Sequence, residues 1–489
     1  MGFKVDTSFL RFLTMGALGV RQVAAELAER GFEPIELERY CTSNKIWATK
    51  VKRLRLPDLL CVKTGLRIEV RAKSDLKIRM SDAPQNPDRV WDAGNRNEDV
   101  VALIACSDGP DGSPIPANRA VYLTVGALRE SVGLSTLGPP KSASEGAERD
   151  RTWPSVVPSR PGSVLSVDGN KVVVMMEGDG DPPRKQTYTL NGKRPYVRPG
   201  DRFQAKITIL AGVPSSLADL NRHLGDVYDP LGQIRSASPL DRYAGVKALR
   251  FRPDLHRQGA AQLEALLDAE PEGRVALEAA GSAAALRLAK GEERLAAVLW
   301  GNGPAELSME SILILTELKT PFARTELARA AAGFPGDERR QAALWGLGKT
   351  GLKSYNDLVA FISDEEENVA FHAIAAFGAD TPRRVIERLI AILMEGEPRK
   401  ALAASETLRV IGSADALTCL IQAANEGRGN IDWLLATLGR MPPALVRERL
   451  KGTPLLERLE PMLLVAHGAS WLATEDAVTD MAFLVKQNL

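Results

Sequence analysis

Residues 54–74 read LRLPDLLCVKTGLRIEVRAKS. Two runs of β-type residues, 54–62 and 66–74, flank a Thr64-Gly65 turn, and that pattern predicts a β-hairpin. Side chains alternate across a strand, so Ile68 and Val70 point to one face while Glu69, Arg71 and Lys73 share the other. Asp58, just after Pro57 on the first run, and Glu69 on the second are therefore two carboxylates with cations beside them. Such a pair suits a hard divalent ion, Mg2+ or Mn2+, which takes oxygen ligands, lowers the pKa of bound water and offsets charge on a phosphodiester. A neighbouring Lys can orient that water or stabilise developing negative charge.

Working outward, VRQVAAELAER (20–30) has the apolar spacing of an amphipathic helix, with Gly31 as its stop. PIELERY reads as a strand, and DVVALIAC (99–106) as a strand buried on both faces. Together with the hairpin these elements predict an α/β core. At Pro57-Asp58 and Glu69-Val70-Arg71 the sequence resembles the PD-(D/E)xK nuclease superfamily, over a span from Val20 to Cys106. The resemblance implies a restriction-endonuclease-like core and a metal-dependent phosphodiesterase site. In it Asp58 and Glu69 hold the metal, and Glu26 of the preceding helix, or Glu36, adds an acid. The family's Lys is replaced by Arg71, which clamps phosphate but cannot cycle protons; Lys73, on the same face, is its candidate substitute.

The chain has 489 residues, 63 Lys plus Arg against 62 Asp plus Glu, and 44% hydrophobic residues. At about 100–200 residues per domain, this length accommodates two to four domains with ordinary cores. No apolar run long enough to span a membrane occurs, and the start lacks the pattern of a secretory signal. Cys41, Cys61, Cys106 and Cys419 form no CxxC pair, so a disulfide scaffold is not expected and a cytoplasmic location is. The only histidines are His223, His256, His372 and His467. Residues 1–222 thus exclude Ser–His triads, HExxH zinc sites and a His general base.

Residues 45–79 carry eleven Lys and Arg against Asp58, Glu69 and Asp75. Such a stretch suits a polyanion, with Lys50, Lys52, Arg53, Arg55, Lys77 and Arg79 as candidate nucleic-acid contacts. In the polar segment that follows, Arg79, Arg89, Trp91 and Arg96 could face substrate, with Trp91 either a stacking surface or a core plug. Residues 134–161, with five prolines, read as a linker. Short β-type runs over 162–213 predict a small β-barrel, with Arg184, Lys185, Lys193, Arg194 and Arg198 on its turns.

From residue 214 onward, Ala- and Leu-rich helices recur. RYAGVKALRF, GRVALEAAG, MESILILTELK, RRQAALWGLG, NVAFHAIAAFG, ALAASETLRVIG and GNIDWLLATLG share small residues and a common kind of end. Second helices such as SYNDLVAFIS and PRRVIERLIAILM lie between them, which predicts an α-solenoid. This half resembles the HEAT-like repeat family and implies a protein-binding surface. Residues 343–350, ALWGLGKT, imitate a phosphate-binding loop but end a repeat helix, so nucleotide binding is not expected.

The chain therefore reads as a multidomain protein. Residues 1–133 form a nuclease-like α/β domain, 134–161 a linker, 162–213 an all-β module and 214–489 a linker with all-α repeats. The expected function is metal-dependent cleavage of nucleic acid, DNA before RNA, or DNA binding by a degenerate nuclease-like site, by analogy in bacterial defence against foreign DNA. The alternative is a non-catalytic scaffold whose repeats recruit a protein partner.

Overall fold

The computed structural model describes residues 7–39, 47–49, 51, 54–109, 114–141, 147–178, 182–349, 355–427 and 429–466. The chain sorts into two compact units, one built from residues 6–45 and 52–282, the other from 1–5, 46–51 and 283–489.

The first unit opens with helix α1 (Thr7–Glu29), longer than its amphipathic core suggests. Strands β1 (Pro34–Glu36), β2 (Leu59–Cys61) and β3 (Arg67–Lys73) follow in antiparallel succession. Strand β4 (Arg79–Asp82) leaves this sheet, and β5 (Val100–Asp108) returns to pair parallel with β3, from Ile68 opposite Val100 to Lys73 opposite Ala105. Strands β6 (Pro114–Pro116) and β7 (Val121–Thr124) both run antiparallel to β5. The predicted hairpin and the doubly buried strand are thus neighbours in one mixed sheet.

The two faces of that sheet bury different things. Val20, Val23 and Leu27 of α1 pack on Ile68, Val70, Val100, Ala102 and Ile104. Each such fully buried aliphatic side chain contributes roughly 1.5–3 kcal/mol. Gly19 is the point of closest approach, since a Cβ there would lie 2.7 Å from the Ala72 Cβ. On the opposite face Val101, Leu103 and Ala105 pack with Leu76, Ile78, Met80, Trp91 and Trp153. Trp91 is therefore a core residue, its ring edge-on to Trp153 at 4.9 Å.

Residues 134–161 are not the linker that their prolines suggest. Helix α2 (Val125–Glu130) leads into β8 (Thr136–Leu137) and β9 (Arg149–Thr152), which join β4 in the order β4-β9-β8. Trp153, fully buried, pins this sheet down by donating its indole N–H to the Leu128 carbonyl at 3.1 Å. The all-β module is likewise not a closed barrel. Strands β10 (Ser155–Val156), β11 (Gly162–Asp168), β12 (Lys171–Met176), β13 (Arg184–Thr189), β14 (Arg194–Pro195), β15 (Arg202–Phe203) and β16 (Ala211–Gly212) form two open sheets, β13-β12-β11-β15 and β10-β16-β14. Alternating apolar residues specify strands, but only complete edge-to-edge pairing closes a barrel. Helices α3 (Pro230–Gln233), α4 (Pro239–Leu249), α5 (His256–Ala269) and most of α6 (Gly273–Ala285) complete this unit.

The second unit carries α7 (Ala289–Trp300), α8 (Ala305–Glu317), α9 (Pro321–Gly333), α10 (Glu338–Lys349), α11 (Tyr355–Val359) and α12 (Glu367–Ala375). It continues with α13 (Arg383–Glu395), α14 (Pro398–Ile411), α15 (Ala414–Glu426), α16 (Ile431–Leu438), α17 (Pro443–Arg449) and α18 (Pro454–Ala466). Here α8, α10, α12, α14, α16 and α18 touch in succession as one layer, and α11, α13 and α15 touch as another. The seven repeated segments seen in the sequence coincide with α4, α6, α8, α10, α12, α14 and α16. Gly346 and Gly348, the glycines of the imitation phosphate loop, are explained by packing. A Cβ at Gly346 would meet the Thr316 hydroxyl of α8 at 2.3 Å, and one at Gly348 would meet Ala376 at 2.8 Å. Thr320, Ser413 and Asn430 cap the starts of α9, α15 and α16, while Gly396, Gly412 and Gly427 end α13, α14 and α15 in the left-handed conformation. No helix among the described residues is long and apolar enough to cross a membrane.

Candidate functional site

The last paired residues of the hairpin are Leu59 opposite Ile68 and Leu60 opposite Arg67. One step further along this register, Asp58 stands opposite Glu69, on the sheet face away from α1. The two carboxylates are on neighbouring strands as the sequence predicts, but both residues are only 7% exposed and both are engaged. The Val70 backbone N–H donates to Asp58 Oδ2 at 2.8 Å, continuing the ladder where the strand pairing stops. Arg71 Nη1 pairs with Glu69 Oε1 at 2.7 Å.

Glu26 does not join them. It sits on α1, across the sheet, and its carboxylate accepts from the Ala120 N–H at 2.8 Å, the Tyr122 hydroxyl at 2.9 Å and Arg30 at 2.5 Å. Burial first, and then the Glu26 carboxylate, push the Tyr122 hydroxyl pKa well up, so this hydrogen bond keeps its proton on Tyr122. Glu26 thus fastens the chain before β7 to α1. Glu36, paired with Leu59, faces the α1 side as well. The donor set does not fit a divalent ion: one acid is ion-paired, another holds a backbone amide, and the third lies across the sheet. Among the described residues, no group of three or more His, Cys, Asp or Glu could hold one.

Of the predicted nucleic-acid contacts, Lys50, Lys52 and Arg53 lie outside the described residues. Arg55 is held at positive φ and is half-buried. Lys77 is exposed and lies 3.5 Å from Asp75. Arg79 lies 3.6 Å from Asp150 on β9, and Lys141 Nζ lies 2.9 Å from the same carboxylate. Arg89 pairs with Glu148 and Arg96 with Asp241. On the all-β module, Arg184, Lys185, Arg194 and Arg198 are exposed and Lys193 half-buried. Lys73 behaves differently from the rest. It ends β3 on the face of Glu69, is half-buried, and makes no hydrogen bond or ion pair among the described residues. Burial, then nearby Arg71 and Arg79, bring its ammonium pKa down to about 7, with Asp150 partly opposing them.

Two features escaped the sequence. Arg67, one position before the hairpin's apolar pair, is buried and binds both oxygens of Asp99 through Nε at 3.0 and 3.1 Å. Its Nη2 also donates to the Gly94 carbonyl at 3.0 Å, which fixes the loop before β5. The other feature lies in the second unit. Trp47 is 2% exposed, its ring 6.1 Å from Trp345 of α10 and 5.7 Å from His372 of α12. The backbone amides of Ala48 and Thr49 both donate to the Glu338 carboxylate, Thr49 at 2.8 Å. A lone tryptophan in a basic, otherwise weakly apolar stretch was the one available signal for this segment.

Between α12 and α14 the same unit has a groove of about 750 Å3, with Ala370, Phe371, Ile374 and Leu402 as its apolar lining. Asp364, Glu365, Arg399 and Arg440 stand around it. Arg440 pairs with Glu406, which also accepts from Arg409 at 2.9 Å.

No family model and no curated protein matches the chain. Among solved structures, it is similar to the complex of CpcE and CpcF of phycocyanin lyase from Nostoc sp. PCC7120. That likeness has 17% identity and a TM-score of 0.24, and covers 50% of this chain and 96% of that one, a level at which it carries no argument about function.

Proposed function

We propose that this protein is an interaction scaffold whose helical unit binds short irregular segments of partner proteins. The chemistry is an aromatic anchor sunk between helices and a carboxylate that clamps the backbone amides beside it. One observation carries the proposal: the unit holds a short irregular piece of its own chain, residues 47–49, with Trp47 sunk against Trp345 and His372 and two consecutive amides on Glu338. Buried aromatic anchors of this kind supply much of the affinity at protein interfaces. Amides paired with a carboxylate form charge-assisted hydrogen bonds. The apolar groove between α12 and α14 offers a second surface of the same chemical kind.

The test uses the full-length Trp47→Ala protein and a fluorescent peptide of residues 44–54, followed by anisotropy. Saturable binding is expected, weakened at least about tenfold by Trp→Ala in the peptide or by Glu338→Ala in the protein. Absence of binding, or binding indifferent to the tryptophan, overturns the proposal.

One observation favours a second function. An antiparallel hairpin with Asp58 opposite Glu69, beneath a preceding helix, supports the hairpin-based core that the PD-(D/E)xK resemblance implies. On that basis the α/β unit is a nuclease-like domain that binds DNA. The engaged state of Asp58 and Glu69 favours binding over cleavage. Cleavage of DNA by the wild type with Mn2+, lost in Asp58→Ala/Glu69→Ala, would establish the catalytic form; DNA binding that does not weaken as salt rises would exclude both forms.

A further inference from the structure

We propose that Lys73, Arg71, Arg79 and Lys141 form a binding site for a dianionic phosphoryl group, either inorganic phosphate or a phosphate monoester. The site rests on neither function above, since it needs no metal and no second unit.

Three backbone elements deliver the cations. Lys73 and Arg71 come from the end of β3, Arg79 opens β4, and Lys141 lies in the segment preceding β9, next to β4 in the second sheet. Asp150 of β9 draws them together: Lys141 Nζ is 2.9 Å from it and Arg79 Nη1 is 3.6 Å away. Lys141 also donates to the Ser81 hydroxyl at 3.2 Å. These bonds fix the positions of the cations without using up their charge. Lys141 Nζ also lies 3.8 Å from Glu148, which pairs with Arg89. With that pair included, five positive groups face three negative ones, Glu69, Asp150 and Glu148, so two positive charges remain uncompensated among the described residues of the cluster.

Donors remain as well. Lys73 makes no hydrogen bond among the described residues, and the buried Nε atoms of Arg71 and Arg79 have no acceptor. Burial first, and then repulsion from Arg71 and Arg79, bring the Lys73 pKa to about 7, with Asp150 only partly opposing them. The groups acting on it are Arg71 from β3, Arg79 from β4, Asp150 from β9 and Lys141 from the preceding segment. A carboxylate would cancel one of the surplus charges. A phosphoryl dianion cancels both and has enough acceptor oxygens for an ammonium and two guanidinium groups together.

The geometry sets a signature that a loose surface contact lacks. At pH 8 the free Lys73 is mostly neutral, and a bound dianion restores its charge, so binding takes up about one proton. Titration calorimetry of the full-length protein with inorganic phosphate, in two buffers of different ionisation enthalpy, measures that uptake directly. Adenosine monophosphate and dimethyl phosphate are the comparison ligands. Phosphate or the monoester should bind with proton uptake, and the monoanionic diester at least about tenfold more weakly. Whichever of the first two binds tighter identifies the source of the phosphoryl group. Lys73→Met should abolish the uptake and weaken binding, Lys141→Met should weaken binding, and Lys171→Met, on the exposed start of β12, should leave both unchanged. Binding without proton uptake, binding undiminished in Lys73→Met, or no heat at millimolar phosphate overturns the site; because uptake is measured on the wild type, a variant that fails to fold leaves the test intact.

Discussion

The strand-built unit and the helical unit hold irregular backbone in place by different chemistry. In the first, buried carboxylates do it repeatedly. Glu26 holds Ala120, Glu38 holds the amides of Leu54 and Leu56, Asp58 holds Val70, Asp82 holds Trp91, and Asp99 holds Arg96. In the second, most of the fastening is done by small residues, hydroxyl and amide caps, and left-handed glycines. Asp337, Asp364 and Glu397 accept local amides two residues on, and Glu338 and Glu366 reach further, Glu366 accepting from the Gly336 amide at 3.0 Å. The contrast teaches that two acids on facing strands, however much they resemble a catalytic pair, can be structural ties in a fold that uses carboxylates this way throughout. It also singles out Glu338, which applies the same chemistry to a segment remote in sequence.

The comparison can be broken most severely at Asp99. Asp99→Ala leaves the buried Arg67 with only Asp241, 3.6 Å away and shared with Arg96, and should destabilise the strand-built unit by about 3 kcal/mol, read by urea denaturation. A loss below about 1 kcal/mol would mean that the buried carboxylates are incidental to that unit.

Trp47→Ala asks the matching question of the helical unit. Removing the buried indole should destabilise the docked segment by about 3 kcal/mol, seen as faster proteolysis within residues 46–51 while the strand-built unit keeps its stability. Unchanged proteolysis would contradict the anchor.

His372, beneath Trp47, gives a pH test. Burial lowers its pKa from 6.5 to about 4, so the folded protein keeps it neutral while the unfolded chain protonates it near 6.5. Between those values the unfolded state binds more protons, so this contribution falls as pH drops, by about 2 kcal/mol from pH 8 to pH 5. Denaturation of wild type and His372→Phe at both pH values should show the excess acid loss only in the wild type.

The smallest effect separates structure from catalysis at Asp58. If its work is to accept the Val70 amide, Asp58→Asn retains an acceptor and should cost less than about 1 kcal/mol, whereas Asp58→Ala should cost about 1–3 kcal/mol. Equal losses would point to the charge rather than the hydrogen bond.

Much of this molecule was legible locally. Each repeated segment fell on a helix because small residues at helical spacing, and in five of the seven a glycine end, act within one turn or two. The hairpin was legible because a Thr-Gly turn between alternating runs allows little else. Non-local features were not. Glu26 is turned toward Tyr122 and Ala120, more than ninety positions away, and nothing near residue 26 announces them. The prolines of 134–161 concealed strands because they lie beside or outside the paired residues; Pro154 falls in the gap between β9 and β10. For the candidate site, the sequence supplied the face shared by Glu69, Arg71 and Lys73, but not Asp150 and Lys141, which arrive on a second sheet.

Hydrogen exchange at the Ala48 and Thr49 amides tests the central claim most directly, because both amides are bound to one carboxylate of the helical unit. In the full-length protein both should exchange slowly, and Glu338→Ala or Trp47→Ala should release the two together while the amides of α10 and α12 stay protected. Free exchange at both amides in the wild type would contradict the claim that this unit holds irregular chain by its backbone.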